Sequence, residues 1–187
     1  RVLFRSHDGL VLQPDSKFQE VYLLPDADLS SYTAFGLADC SVAFRKNWLR
    51  DQNRYQTNRI RSQDVERIKD TMARTFDTVF REELGGDGGY SLTEENGENV
   101  LRITPHIEDL DLYAPDPRSA PGIQRSYAES MGRMTLRLDF YVSVTGDLIA
   151  TASEHREAPR RGYLQWANSV TNTKEARLMF KGWAKRI

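Results

Sequence analysis

Cysteine is almost absent: Cys40 is the only one in 187 residues. A single thiol forms neither an intrachain disulfide nor a thiolate metal cluster, which fits the cytoplasm and equally a periplasmic domain built without disulfides. Long apolar runs are missing, since no stretch approaches the ~18 uninterrupted apolar residues of a membrane-spanning helix. Neither sign of charge is in excess: 26 Lys and Arg against 27 Asp and Glu leave a net of -1, which argues against a bulk polyanion binder. No dinucleotide or nucleotide fingerprint occurs, no serine sits in a nucleophile elbow, and no cofactor is expected. What remains, 39% hydrophobic and 10% aromatic residues, suits a folded domain with a substantial core.

Residues 1–32 read as an extended arm or tether, restricted by Pro14 and Pro25, with 21–24 as its strand candidate. Residues 33–187 read as one domain. A first long strand is expected over 33–44, then a polar, basic loop over 45–61. Ser62 suits a helix N-cap, followed by acids at 64 and 66 where the helix dipole favours them. Val65, Ile68, Met72, Phe76, Val79 and Phe80 recur at spacings of three and four, one apolar helical face. Gly85-Gly86 is expected to end that helix in a left-handed cap.

A short strand is expected over 90–92 and a firmer one over 100–107, with Leu101, Ile103 and Ile107 on one face. Strict alternation over 133–144 puts Met134, Leu136, Leu138, Phe140, Val142 and Val144 on a dry face and Asp139 on a wet one. On that reading Asp139→Ala is nearly silent. Thr145-Gly146-Asp147 marks a hairpin returning through 148–155. A last amphipathic helix is expected from about Thr173, with Ala176, Phe180, Trp183, Ala184 and Ile187 on one side. The pattern predicts an α+β fold: a two-layer sandwich, mostly antiparallel, with two amphipathic helices packed on one face.

Two constellations are chemically suggestive. His106, Glu108, Asp109 and Asp111 are candidate divalent-metal ligands, because His106 and Glu108 share a strand face. The competing reading is a charged strand end that resists edge pairing. Arg45, Arg50 and Arg54, interleaved with Trp48 and Tyr55, are candidate binding residues for a single-stranded nucleic acid, acidic headgroups or a protein. The competing reading is a solvated loop with Trp48 turned inward. Trp166 is a further candidate in an aromatic groove. Cys40 is expected to be a half-buried strand cysteine: Leu37-Ala38-Asp39-Cys40 has the outline of a lipidation box but lacks the small residue and the upstream apolar run.

Val21-Tyr22-Leu23-Leu24-Pro25-Asp26-Ala27-Asp28-Leu29-Ser30-Ser31-Tyr32 resembles the segment leading into the first strand of a family of proteobacterial envelope lipoproteins, domain of unknown function 3313. Asp8-Gly9-Leu10, Val100-Leu101-Arg102-Ile103, residues 145–150 and Phe180-Lys181-Gly182-Trp183-Ala184 extend the resemblance along nearly the whole chain. It implies an exported periplasmic domain, lipid-anchored to a bacterial membrane through a cysteine upstream of Arg1, and it carries no catalytic residue. The expectation is a non-enzymatic domain that binds another envelope protein or polymer. The alternatives are a metal site at His106, Glu108, Asp109 and Asp111, and nucleic-acid binding through residues 45–61.

Overall fold

The computed structural model describes residues 9–14, 16–54, 59–87, 90–112, 132–157 and 181–182, with the backbone of 127–128 and 165–166. In chain order these form β1 (Val11–Leu12), β2 (Glu20–Leu23), a 3-10 turn (Leu29–Ser31), β3 (Ala34–Leu37) and β4 (Ser41–Phe44). Helices α1 (Trp48–Asn53) and α2 (Ser62–Glu82) follow, then a π turn (Glu83–Asp87) and β5 (Ser91–Leu92). The long strands come next, β6 (Val100–Asp111), β8 (Arg133–Val142) and β9 (Leu148–Glu157). Short β7 (Tyr127–Ala128) and β10 (Gln165–Trp166) pair only with each other.

The main sheet has eight strands in the order β1-β2-β9-β8-β6-β3-β5, with β4 also paired to β6. From β1 to β6 every pairing is antiparallel. The other flank is parallel: β3 lies beside residues 100–103 of β6, and β4 beside 106–110. A parallel return needs a long crossover, and α2 is its main element. The fold is therefore α+β with a mostly antiparallel sheet and one main helix.

Alternation fixes which side α2 covers. Met134, Leu136 and Leu138 of β8 and Leu101, Ile103 and Ile107 of β6 are buried with Met72, Phe76, Val79 and Phe80 of α2. Phe76 and Phe80 stack at 3.9 Å. Each such apolar side chain contributes about 1.5–3 kcal/mol of burial, and this layer holds the domain together. Gly146, at φ 76°, makes the turn between β8 and β9, a conformation that side chains resist.

Several expectations need correction. Residues 33–44 form two strands, not one, because the chain breaks over 38–40. That break accommodates Pro105 in the middle of β6. Ile103 O accepts the Ala38 N–H at 2.9 Å, and the Ile107 N–H is donated to the Cys40 sulfur. Pro105 has the same parity, so its missing N–H faces the gap. The basic loop contains α1. The N-cap is Arg61, one residue early, its N–H held by Asp64 Oδ2 at 2.9 Å. No left-handed cap forms at Gly85 or Gly86; the π turn carries the chain on and keeps Leu84 buried. The predicted C-terminal helix lies outside the described residues except for Lys181 and Gly182, which are helical.

Candidate functional site

The sheet face opposite α2 is polar, and its cross-strand neighbours are paired by charge. Ser41 of β4 lies beside His106 of β6, which lies beside Arg137 of β8. Ser41 Oγ and His106 Nδ1 share a hydrogen bond of 2.6 Å, and His106 Nε2 stands 3.2 Å from Asp139 Oδ2. Arg137 reaches Glu108 at 2.8 Å and Asp139 at 3.5 Å. Asp111 Oδ2 is ion-paired with Arg45, 2.9 Å from its Nε, and accepts from Arg133 Nε at 3.1 Å. One row further, Thr135 Oγ1 and His155 Nδ1 share a 3.1 Å hydrogen bond.

The four metal candidates are thereby separated. His106 turns to Ser41 and Asp139, Glu108 to Arg137 and Asp111 to two arginines, while Asp109 sits exposed in a bulge at φ 50°. Among the described residues no three His, Cys, Asp or Glu side chains converge on a metal-sized space.

Sequence reasoning missed the role of Asp139. It is on the polar face as expected, yet only 8% exposed, because His106 and Arg137 close over it. Asp139→Ala is therefore not silent. It removes the carboxylate that is ion-paired with His106 at 3.2 Å and Arg137 at 3.5 Å, leaving Arg137 only Glu108, and about 1–3 kcal/mol of stability should be lost. Asp147→Ala, at an exposed turn, should stay within about 0.5 kcal/mol. Urea melts of the two variants test this; equal midpoints would refute it.

The basic segment is fastened rather than loose. Trp48 is 1% exposed, stacks on Phe44 at 4.0 Å and donates its indole N–H to Leu112 O at 2.8 Å. Arg45 bridges Asp51 and Asp111, each at 2.9 Å, and its guanidinium holds the Asp51 carboxyl below the usual carboxylate range. Asn53 exchanges two hydrogen bonds with the Ile60 backbone. Arg50, Arg54, Arg59 and Arg61 remain exposed. Tyr55 lies outside the described residues. Trp166 is described by backbone alone, in β10 opposite Tyr127.

Cys40 is a quiet thiol. Burial pushes it up to about 12, against the lowering influence of the Ile107 N–H. The folded protein should thus resist iodoacetamide at pH 8 and react fully once unfolded. Because the folded-state value is the raised one, the unfolded thiol ionises first as pH rises. Alkali should erode stability only from the ordinary thiol range (about 8.5) up to about 12. Rapid native alkylation would contradict this.

The strand ends differ sharply. Where β6 begins, residues 24–33 cross the end of the sheet, from Leu24 N–H on Ile149 O to Thr33 N–H on Asn99 O. The loops 93–99 and 143–147 lie at the same end, joined by Gly97 and Ser143. Here Leu29, Tyr90 and Val144 are the exposed large apolar residues, at 42%, 37% and 54%. Around them Asp26, Asp28, Glu94, Glu95, Glu98 and Asp147 are exposed. Asp28 accepts from the Ser30 hydroxyl and N–H, which hold its carboxyl low.

No curated protein matches the chain at a significant level. Among solved structures it is similar to the PelC dodecamer from Paraburkholderia phytofirmans, with 8% identity, a TM-score of 0.42, and 89% of this chain and 97% of that chain covered. A PDZ domain protein from Parabacteroides distasonis ATCC 8503 is 10% identical, with a TM-score of 0.41 over 86% of this chain and 33% of the other. A neuraminyllactose-binding hemagglutinin homolog from Helicobacter pylori is 10% identical, with a TM-score of 0.36 over 84% and 86%. One family, described as protein of unknown function (DUF3313), matches residues 4–187. With all but the first three residues inside that match, the chain belongs to the DUF3313 family.

Proposed function

We propose that this is a non-enzymatic binding domain of the bacterial envelope, held at a membrane by a lipid on a cysteine preceding Arg1, that docks another envelope protein or polymer. The family resemblance supports the compartment. The observation that carries the binding role is that Leu29, Tyr90 and Val144 are all exposed at one end of the sheet. Exposed apolar side chains amid polar ones are what an interaction surface offers a partner. A photo-cross-linking residue at Val144 of the full gene product, in cells, should give a defined adduct, identified by mass spectrometry. The same residue at exposed Glu66, on α2, should give none. Equal labelling at both positions, or none at either, would defeat the binding role. Failure of the full product to incorporate radiolabelled palmitate would defeat the anchoring.

A second reading has one observation in its favour. Ser41, His106 and Asp139 form a hydroxyl–imidazole–carboxylate chain, the order of groups in a hydrolytic relay. A fluorophosphonate probe separates the two readings. Labelling of Ser41 that His106→Ala abolishes would make the protein an enzyme, whereas an unlabelled Ser41 leaves the chain as a brace across β4, β6 and β8.

A further inference from the structure

We propose that the two ends of the domain are complementary, and that the acidic end docks on the basic end of a second copy. This rests on the reading of the acidic end as a docking surface and names its occupant. Residues 24–33, 93–99 and 143–147 hold six carboxylates and neither lysine nor arginine. Two partly exposed cations lie against this end, each engaged by local partners. Arg81 pairs with Asp77 at 3.0 Å and donates to Leu37 O, with Glu94 at 3.6 Å. Arg102 lies flat across Gly36, where a Cβ would collide with it, and donates to Glu94 O and Asn96 Oδ1.

At the opposite end the segment after β4 is the reverse, although Asp109 and Glu157 are also exposed at that end. Beyond Phe44, Lys46, Arg50, Arg54, Arg59 and Arg61 are all exposed. Residues 45–61 hold six basic side chains and one acid, Asp51. Asp51 is already shared among Arg45, Arg50 and Arg54. The poles lie at the two ends of β6, whose 12 residues at about 3.3 Å each span roughly 40 Å. That is several times the Debye length of about 8 Å in physiological salt, so the poles do not cancel within one molecule. Helix α2 runs from the basic end to the acidic end, and its dipole adds in the same sense.

Charge complementarity of this kind sets orientation, and Leu29, Tyr90 and Val144 supply the apolar contact. Each junction leaves one acidic and one basic end free, so association is head-to-tail and passes beyond two copies.

Sedimentation velocity of the purified chain at low salt should show species larger than a dimer, growing with concentration and dissolving in about 0.5 M NaCl, where screening is nearly complete. Two variants test the polarity: Glu94→Gln with Glu95→Gln and Glu98→Gln, and Arg50→Gln with Arg54→Gln and Arg59→Gln. All six side chains are exposed or face solvent, so unchanged melts should confirm folding. Each variant alone should be monomeric. Their mixture should form 1:1 dimers and stop there, since one acidic and one basic end survive. A wild type that is monomeric throughout, stops at two, or ignores salt, or a mixture that forms no complex, would overturn the proposal. If Val144 still cross-links to a different protein in cells, the docking surface stands and only self-docking falls.

Discussion

Leu138→Asp should abolish cooperative folding, leaving no sigmoidal thermal transition where the wild type has one. Leu138 is fully buried on the α2 side of β8, opposite Pro105 of β6 and Ala152 of β9. None of these offers a hydrogen bond to a carboxylate. The guanidinium placed on that face by β9, Arg156, is held by Glu154 at 3.0 Å and lies opposite Met134, two rows along β8. The substitution loses about 1.5–3 kcal/mol of apolar burial and adds several more for an unpaired buried charge. Domains of this size have a total stability of about 5–15 kcal/mol. Val144→Asp keeps the same β8 parity but stands in the exposed turn, and should change the stability by less than about 0.5 kcal/mol. Similar melts for the two would show that α2 does not seal this face.

Trp48→Ala should cost about 3–5 kcal/mol, the range for truncating a buried indole. The residue does three things at once. It fills the space between Phe44 and Ile60, it stacks on the Phe44 ring, and its N–H satisfies the carbonyl of Leu112 at the end of β6. Losing it leaves that carbonyl without its indole donor and frees the segment bearing Arg50, Arg54 and Arg59. Trypsin should then cut there in protein that still shows native circular dichroism. Trp48→Phe should recover most of the packing but not the hydrogen bond, and fall between the two. A Trp48→Ala protein as stable and as trypsin-resistant as the wild type would mean that α1 is held by Arg45 and Asn53 alone.

The parts of the fold legible in the sequence are those where one period runs unbroken. The threefold and fourfold recurrence from Val65 to Phe80 gave α2, and twofold alternation gave β8 and its return strand. What escaped was decided by contacts between distant residues. Nothing local says that residues 38–40 break their strand, because the reason is Pro105, 65 or more positions away. Parallel pairing of β3 and β4 with β6 was likewise invisible, since it follows from where the crossover lands. In the candidate site, Trp48 turning inward and the polar parity of Asp139 were readable. The closing of His106 and Arg137 over Asp139 was not, because burial on an open sheet face depends on which neighbours the register supplies. The apolar residues of the acidic end lie at 29, 90 and 144, too dispersed for any window to connect.

The bulge at Asp109 has an outcome of its own. Up to Ile107 the odd-numbered residues of β6 face α2; past the bulge the even-numbered Leu110 and Leu112 do, while Asp111 joins the polar side. One surplus residue thus resets the count, and flattening the bulge with every residue kept would behave like a frameshift in space. The strand would gain hardly any length, yet its last turn of the alternation would come out reversed, with a carboxylate driven into the hydrocarbon and two leucines left facing arginines, whereas removing Asp109 itself would keep all three on their present sides.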